Sequence, residues 1–107
     1  MNTHSLRLVT IIAEPVLEAR ITHDLQQLGA TGWTVVDGRG QGARGLHTGE
    51  IPGVNVRIES IVSADVADGI AAYLAVHYFI DFSVIAYVSE VAVVRGDKYL
   101  PRTDEVR

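Results

Sequence analysis

Cysteine is absent from the 107 residues. Its absence excludes disulfides, thiolate chemistry and cysteine-type zinc sites. An excess of positive charge is also missing: nine Lys and Arg stand against 13 Asp and Glu, a formal net charge of −4. Such a chain has no general attraction for nucleic acid or an anionic membrane, so a phosphate ligand would need a local basic site. No apolar run is long enough for a membrane span. Met1–Arg7 does not lead into the apolar segment of a secretory signal, and the expected location is the cytoplasm. The histidines are His4, His23, His47 and His77, and no pair has metal-ligand spacing with a carboxylate partner. Nothing resembles a nucleophile, base and orienting group in series, so no catalytic residue is assigned. What is present is 48% hydrophobic residues in a chain of one-domain length, enough for a real core.

Glycine is concentrated in one place. Six of the ten glycines fall between Gly38 and Gly53, with Arg39 and Arg44 among them. Glycine permits positive φ and a close approach of backbone N–H groups to an anion. Arginine adds a bidentate donor. The stretch reads either as an anion-binding loop or as a flexible hairpin that binds nothing, since glycine marks turns far more often than ligands.

The rest of the chain alternates strands and helices. Leu6–Ala13 is a near-continuous apolar run, the pattern of a central strand. Pro15 suits a first helical turn, Leu17, Ile21, Leu25 and Leu28 line an amphipathic helix, and Gly29 stops it. Thr31–Asp37 reads as the second strand. Val54–Val62 alternates as a half-exposed third strand, with an apparent phase shift near Ile61. Ser63 and Asp65 start a second helix whose apolar face carries Val66, Ile70, Tyr73, Leu74 and His77, ending near Phe79. His77 reads as a core or interface residue and His23 as a helix-surface one. Ser83–Val94 is the last strand, and Lys98–Arg107 a loose polar tail. The order βαββαβ predicts an α+β, ferredoxin-like domain: a four-stranded antiparallel sheet with both helices on one face. The division is a core over 6–96, a mobile loop over 38–53 and a tail over 97–107. The uncovered sheet face would be largely apolar, which predicts packing into a closed oligomer.

The segments T-G-W-T-V-V, G-R-G-Q-G-A-R-G and A-V-H-Y-F-I-D-F together resemble the PII-like signalling proteins. The likeness is to the inorganic-carbon-sensing subgroup: carboxysome-associated PII proteins and the regulator of the sodium-dependent bicarbonate transporter. It spans about residues 6 to 96. The resemblance implies a homotrimer with the sheets inside and adenine nucleotide in three clefts between subunits. The glycine-rich segment would be the family's T-loop. By position, Gly40, Gln41 and Gly42 would lie along ribose and phosphates, with Arg39 close by, and Arg44 would contact phosphate. Thr31 and Trp33 would line the base pocket, although Trp33 taken by residue type alone reads first as packing. Arg95 would reach the phosphates of a neighbouring subunit. Bicarbonate is a second expected ligand, at Gly42 and Arg44, because a guanidinium and amides suit a planar oxyanion.

The chain departs from the family in places. The phosphate-gripping segment T-G-x-x-G-D-G-K is replaced by H-Y-F-I-D-F-S-V. This favours AMP or ADP, with ATP and cyclic AMP as further candidates. The loop tyrosine modified in enterobacterial members is missing, and His47 stands where the bicarbonate regulators have an arginine. The implied role is regulation of a bicarbonate transporter or a carboxysome component, without a cofactor and without catalysis. Two alternatives use the same fold: a weak nucleotide hydrolase, and a metal-tolerance trimer of the CutA type.

Overall fold

The computed structural model of the chain describes residues 3–40 and 53–99. Four strands, β1 (Thr3–Ala13), β2 (Thr34–Arg39), β3 (Val54–Val62) and β4 (Ile85–Val94), form one sheet in the order β2-β3-β1-β4. Every neighbouring pair is antiparallel. Two helices, α1 (Glu18–Gln27) and α2 (Ala64–His77), connect the strands. This is the ferredoxin-like arrangement expected from the sequence.

Register sorts the side chains. Val9, Ile11 and Ala13 of β1 stand beside Ser60, Ile58 and Val56 of β3. These residues share one sheet face and pack under Leu17, Ile21 and Leu25 and under Ala67, Ile70 and Leu74 of α2. Both helices therefore cover the same face. The opposite, open face carries Leu8, Thr10 and Ile12 with their β4 partners Ser89, Tyr87 and Ile85.

The local signals act through nameable bonds. Ser63 accepts a hydrogen bond from the Val66 N–H at 3.2 Å and caps α2, with Asp65 in the first turn. Gly29 ends α1 at φ +110, where the Ala30 N–H reaches the Leu25 carbonyl at 2.9 Å and the Gly29 N–H reaches Gln26 at 3.2 Å. That pair of bonds is a Schellman motif, which a glycine in the left-handed region makes cheap.

Several boundaries differ from the sequence reading. β2 begins at Thr34, not Thr31, because the Gly32 carbonyl accepts from the Ser60 hydroxyl at 2.7 Å instead of joining the ladder. It runs on to Arg39 because Gly38 and Arg39 pair with Asn55 and Val54, so the first two residues of the expected loop are strand. The phase shift near Ile61 does not occur. β3 continues in register, with Ser60 buried on the core face and Ile61 on the open one. Pro15–Leu17 is a 3-10 turn that precedes α1. α2 closes at His77, and β4 starts at Ile85 instead of Ser83. His77 is exposed in the chain and stacks on Tyr73 at 4.1 Å between centroids. His23 is exposed on α1, as read. Gly96–Tyr99, which takes in the start of the expected tail, forms a 3-10 turn that packs against β1. Among the described residues no helix is long and apolar enough to cross a membrane.

Candidate functional site

At one end of the open face, all four strands contribute to a depression of about 280 Å³. Its apolar lining is Ile12 of β1, Val36 of β2 and Ile85 of β4. Its polar lining is Asp37, Gly38, Arg39, Gly40, Asn55 and Arg57, and Arg57 stands between Val36 and Ile12. Register explains the meeting. Ile12 is paired with both Arg57 and Ile85, and Val36 with Arg57, so these four residues stand side by side across the sheet.

The polar side is shaped by glycine. A Cβ on Gly38 would stand 2.7 Å from the Asn55 Oδ1. The missing side chain is what lets the Asn55 amide lie against the β2 backbone. The Gly40 N–H donates to the Gly53 carbonyl at 2.9 Å and draws the two ends of the intervening segment together. Gly53 holds φ +86, a conformation that favours glycine. The expected T-loop thus springs from a hydrogen-bonded base at the rim of the depression.

Charge is local, as the acidic composition requires. Both Arg39 and Arg57 line the depression, Arg57 on the open face with Val36 and Gly38, and Arg39 one residue on in β2, on the opposite face by strand alternation. The Arg57 Nε lies 3.5 Å from Glu59 Oε2, an ion pair along the open face of β3. A depression lined by apolar side chains, backbone amides and a guanidinium suits a flat ring bearing an anionic tail.

Of the residues expected to bind, Arg39 and Gly40 lie in the depression. Gln41, Gly42 and Arg44 lie outside the described residues. Thr31 and Trp33 precede β2, and the strand separates them from Arg39 by about 17 Å at roughly 3.3 Å per residue. Both are exposed, Trp33 at 38%. Arg95 follows β4 at the end far from Ile85, about 30 Å along the strand by the same rise. It holds φ 61, a left-handed conformation uncommon outside glycine. Within one chain, Thr31, Trp33 and Arg95 therefore do not join Arg39 and Gly40.

Ile12, Val36, Asn55, Arg57 and Ile85 are site residues that the sequence reading passed over. The alternation of β3 already placed Asn55 and Arg57 on the non-core face. An antiparallel hairpin from Gly38 to Val54 would have brought them to the loop's base.

The model of the nitrogen regulatory protein P-II family matches residues 6–98. The chain belongs to the P-II family. The P-II chain is also similar to a PII-like signaling protein of known structure from Thermus thermophilus, at 46% identity and a TM-score of 0.81. That match covers 92% of this chain and 99% of the other. CPII from Thiomonas intermedia, in a structure with ADP, AMP and acetate, matches at 21% identity and a TM-score of 0.79, over 94% of this chain and all of that one (100%). A second CPII structure, with ADP and bicarbonate, matches at 22% identity and a TM-score of 0.78, over 92% of this chain and 97% of that one. At those identities the CPII likeness concerns the fold. P-II proteins are regulatory signal proteins, and that is the class of this chain.

Proposed function

We propose that this P-II chain is a non-catalytic sensor of adenine nucleotides, AMP or ADP in preference to ATP or cyclic AMP. The nucleotide sits in the open-face depression, completed by a neighbouring subunit of a homotrimer. The observation that carries the reading is the mixed lining of the depression. Ile12 and Ile85, side by side across β1 and β4, offer a surface for a flat ring, while Arg57 and the Gly38–Gly40 backbone offer donors for phosphate, with Arg39 close by. The ADP and AMP in the CPII structures support the same ligand class.

The trimer is supported by what the open face leaves uncovered. Val36, Ile85 and Tyr87 are 39%, 48% and 48% exposed there, and large apolar side chains in a contiguous band call for a partner surface. A neighbouring chain also offers a route for Arg95, and for Thr31 and Trp33, to reach a nucleotide that their own chain cannot bring to them. Gln41, Gly42 and Arg44 would complete the phosphate contacts from the loop. Bicarbonate would bind at Gly42 and Arg44, in keeping with the anion in the second CPII structure. The output we assign is control of inorganic carbon uptake or of carboxysome function. The protein would act in the cytoplasm, on a transporter or a carboxysome component, through a loop that a bound ligand orders.

Isothermal calorimetry of the purified protein against AMP, ADP, ATP and cyclic AMP, each with and without bicarbonate, tests the reading. ADP or AMP is expected to bind, and bicarbonate to change the affinity. Arg44→Ala is expected to weaken ADP about tenfold, equivalent to roughly 1.4 kcal/mol. No heat from any nucleotide would overturn the proposal.

A further inference from the structure

The turn between α2 and β4 delivers Ile85 to the depression, and it does so without a single glycine between Gly69 and Gly96. It is held instead by α1. Tyr78 is fully buried, and its hydroxyl donates to Asp24 Oδ2 at 2.5 Å. The Arg20 guanidinium lies 4.6 Å from the Tyr78 ring centroid and 5.5 Å from that of Phe82. The two rings are 5.9 Å apart, and the Phe82 N–H donates to the Tyr78 carbonyl at 2.9 Å. Arg20 and Asp24 are one helical turn apart on α1, so a single helix edge grips both aromatic residues. Of the other turn residues, Phe79 is 45% exposed and Ile80 84%, while Val84, like Phe82, packs against the core.

We propose that the Arg20–Asp24–Tyr78–Phe82 clamp is the device that positions the apolar wall of the nucleotide site. Its members touch no ligand. They act through Ile85, and the inference rests on the depression being the nucleotide's seat. Phe82 is three residues before Ile85, a chain length of only about 10 Å, so the place of Phe82 dictates the place of Ile85. Ile85 stands beside Ile12 in the β1–β4 ladder, and together they form most of the surface a flat ring would rest on. The phosphate donors lie on β2 and β3, out of the clamp's reach. The clamp therefore governs recognition of the ring and leaves recognition of the phosphates untouched. That division gives it a signature different from that of any arginine in the depression.

The test uses the full chain with isoleucine δ1-methyl labels, as wild type, Tyr78→Phe, Arg20→Met and Asp24→Asn. Tyr78→Phe removes only a hydroxyl. Arg20 is exposed, and methionine keeps its unbranched stem without the guanidinium, so these variants are expected to fold. The Ile85 methyl resonance is expected to shift in both Tyr78→Phe and Arg20→Met, while that of Ile61, at the other end of the open face, stays in place. Adenosine, AMP and ADP are expected to lose affinity by one common factor, about tenfold. Asp24→Asn keeps an acceptor for the hydroxyl and is expected to restore most of the wild-type behaviour. An Ile85 methyl that does not move in either variant would overturn the proposal, as would a loss that grows with the number of phosphates. Failure of wild type to bind any of the three would instead overturn the nucleotide reading, with the methyl shift still deciding whether the clamp positions Ile85.

Discussion

Ile58 and Ile85 are the same side chain on two strands of one sheet, yet the first is 0% exposed and the second 48%. Ile58 stands on the face under α1 and α2, among Val9, Ile11, Val56 and Leu74. Ile85 stands on the face with no helix, beside Ile12 and the polar ends of β2 and β3. The covered face is closed by its own chain. The open face carries apolar residues too, among them Ile12, Val36, Ile85 and Tyr87, and among the described residues neither α1 nor α2 covers it. Stability belongs to the first face, and association and ligand binding to the second.

The largest effect expected from breaking this contrast is on the covered side. Ile58→Ala should cost about 2–5 kcal/mol in chemical denaturation, because a filled site becomes a cavity. Ile85→Ala removes the same atoms from the open face and should cost the isolated chain less than about 1 kcal/mol. Equal losses would erase the distinction.

Much of this division was legible in the sequence. The alternation of Val54–Val62 and the clean signals at Gly53 and Ser63 set the bounds of β3, and Gly29 set the end of α1. What misled was local residue type where a distant partner decides. Thr31 and Trp33 look like strand residues, but Ser60 takes the Gly32 carbonyl. Gly38 and Arg39 look like loop, but Asn55 and Val54 pair with them. Ser60 looks like a solvent-facing break in phase and is a buried core residue whose hydroxyl has found its acceptor. The site divides in the same way. Composition marked the glycine-rich stretch that holds Arg39, and the family resemblance pointed to Gly40 within it. Ile12, Ile85, Asn55 and Arg57 meet only through the register of four strands, which no local pattern encodes.

On the open face, Tyr87→Glu should leave the chain's own denaturation midpoint nearly unchanged. It should lower the mass seen by analytical ultracentrifugation from that of a trimer to that of one chain, since a carboxylate cannot be buried unpaired between sheets. A variant still trimeric would remove the open face from the interface. Smaller still is the effect expected at the rim. Gly38→Ala should cost less than about 1 kcal/mol, because Asn55 can swing away from the added methyl. The displaced amide would enter the depression and weaken ADP binding, and Asn55→Ala in the same chain should relieve the obstruction. Calorimetry on the single and double variants checks both statements.

The smallest expected effect is in alkali. Burial, then the hydrogen bond and the charge of Asp24, push the Tyr78 hydroxyl well above the ordinary tyrosine value of 10.0, with Arg20 opposing. The folded state holds this proton after the unfolded state has released it. The associated stabilisation is complete below about pH 10 and declines as the pH rises further. Tyr78→Phe should therefore show a shallower fall in stability above pH 10 than wild type, measured by denaturant melts across that range.

The most direct measurement is photo-crosslinking with an azido-substituted ADP, competed with unlabelled ADP, followed by peptide mapping. Label concentrated on the segments carrying Ile12, Val36–Gly40 and Ile85, and removed by competitor, is the predicted result. Label confined to the helix-covered side of the molecule, or insensitive to competitor, would contradict the assignment of the open-face depression as the nucleotide's seat.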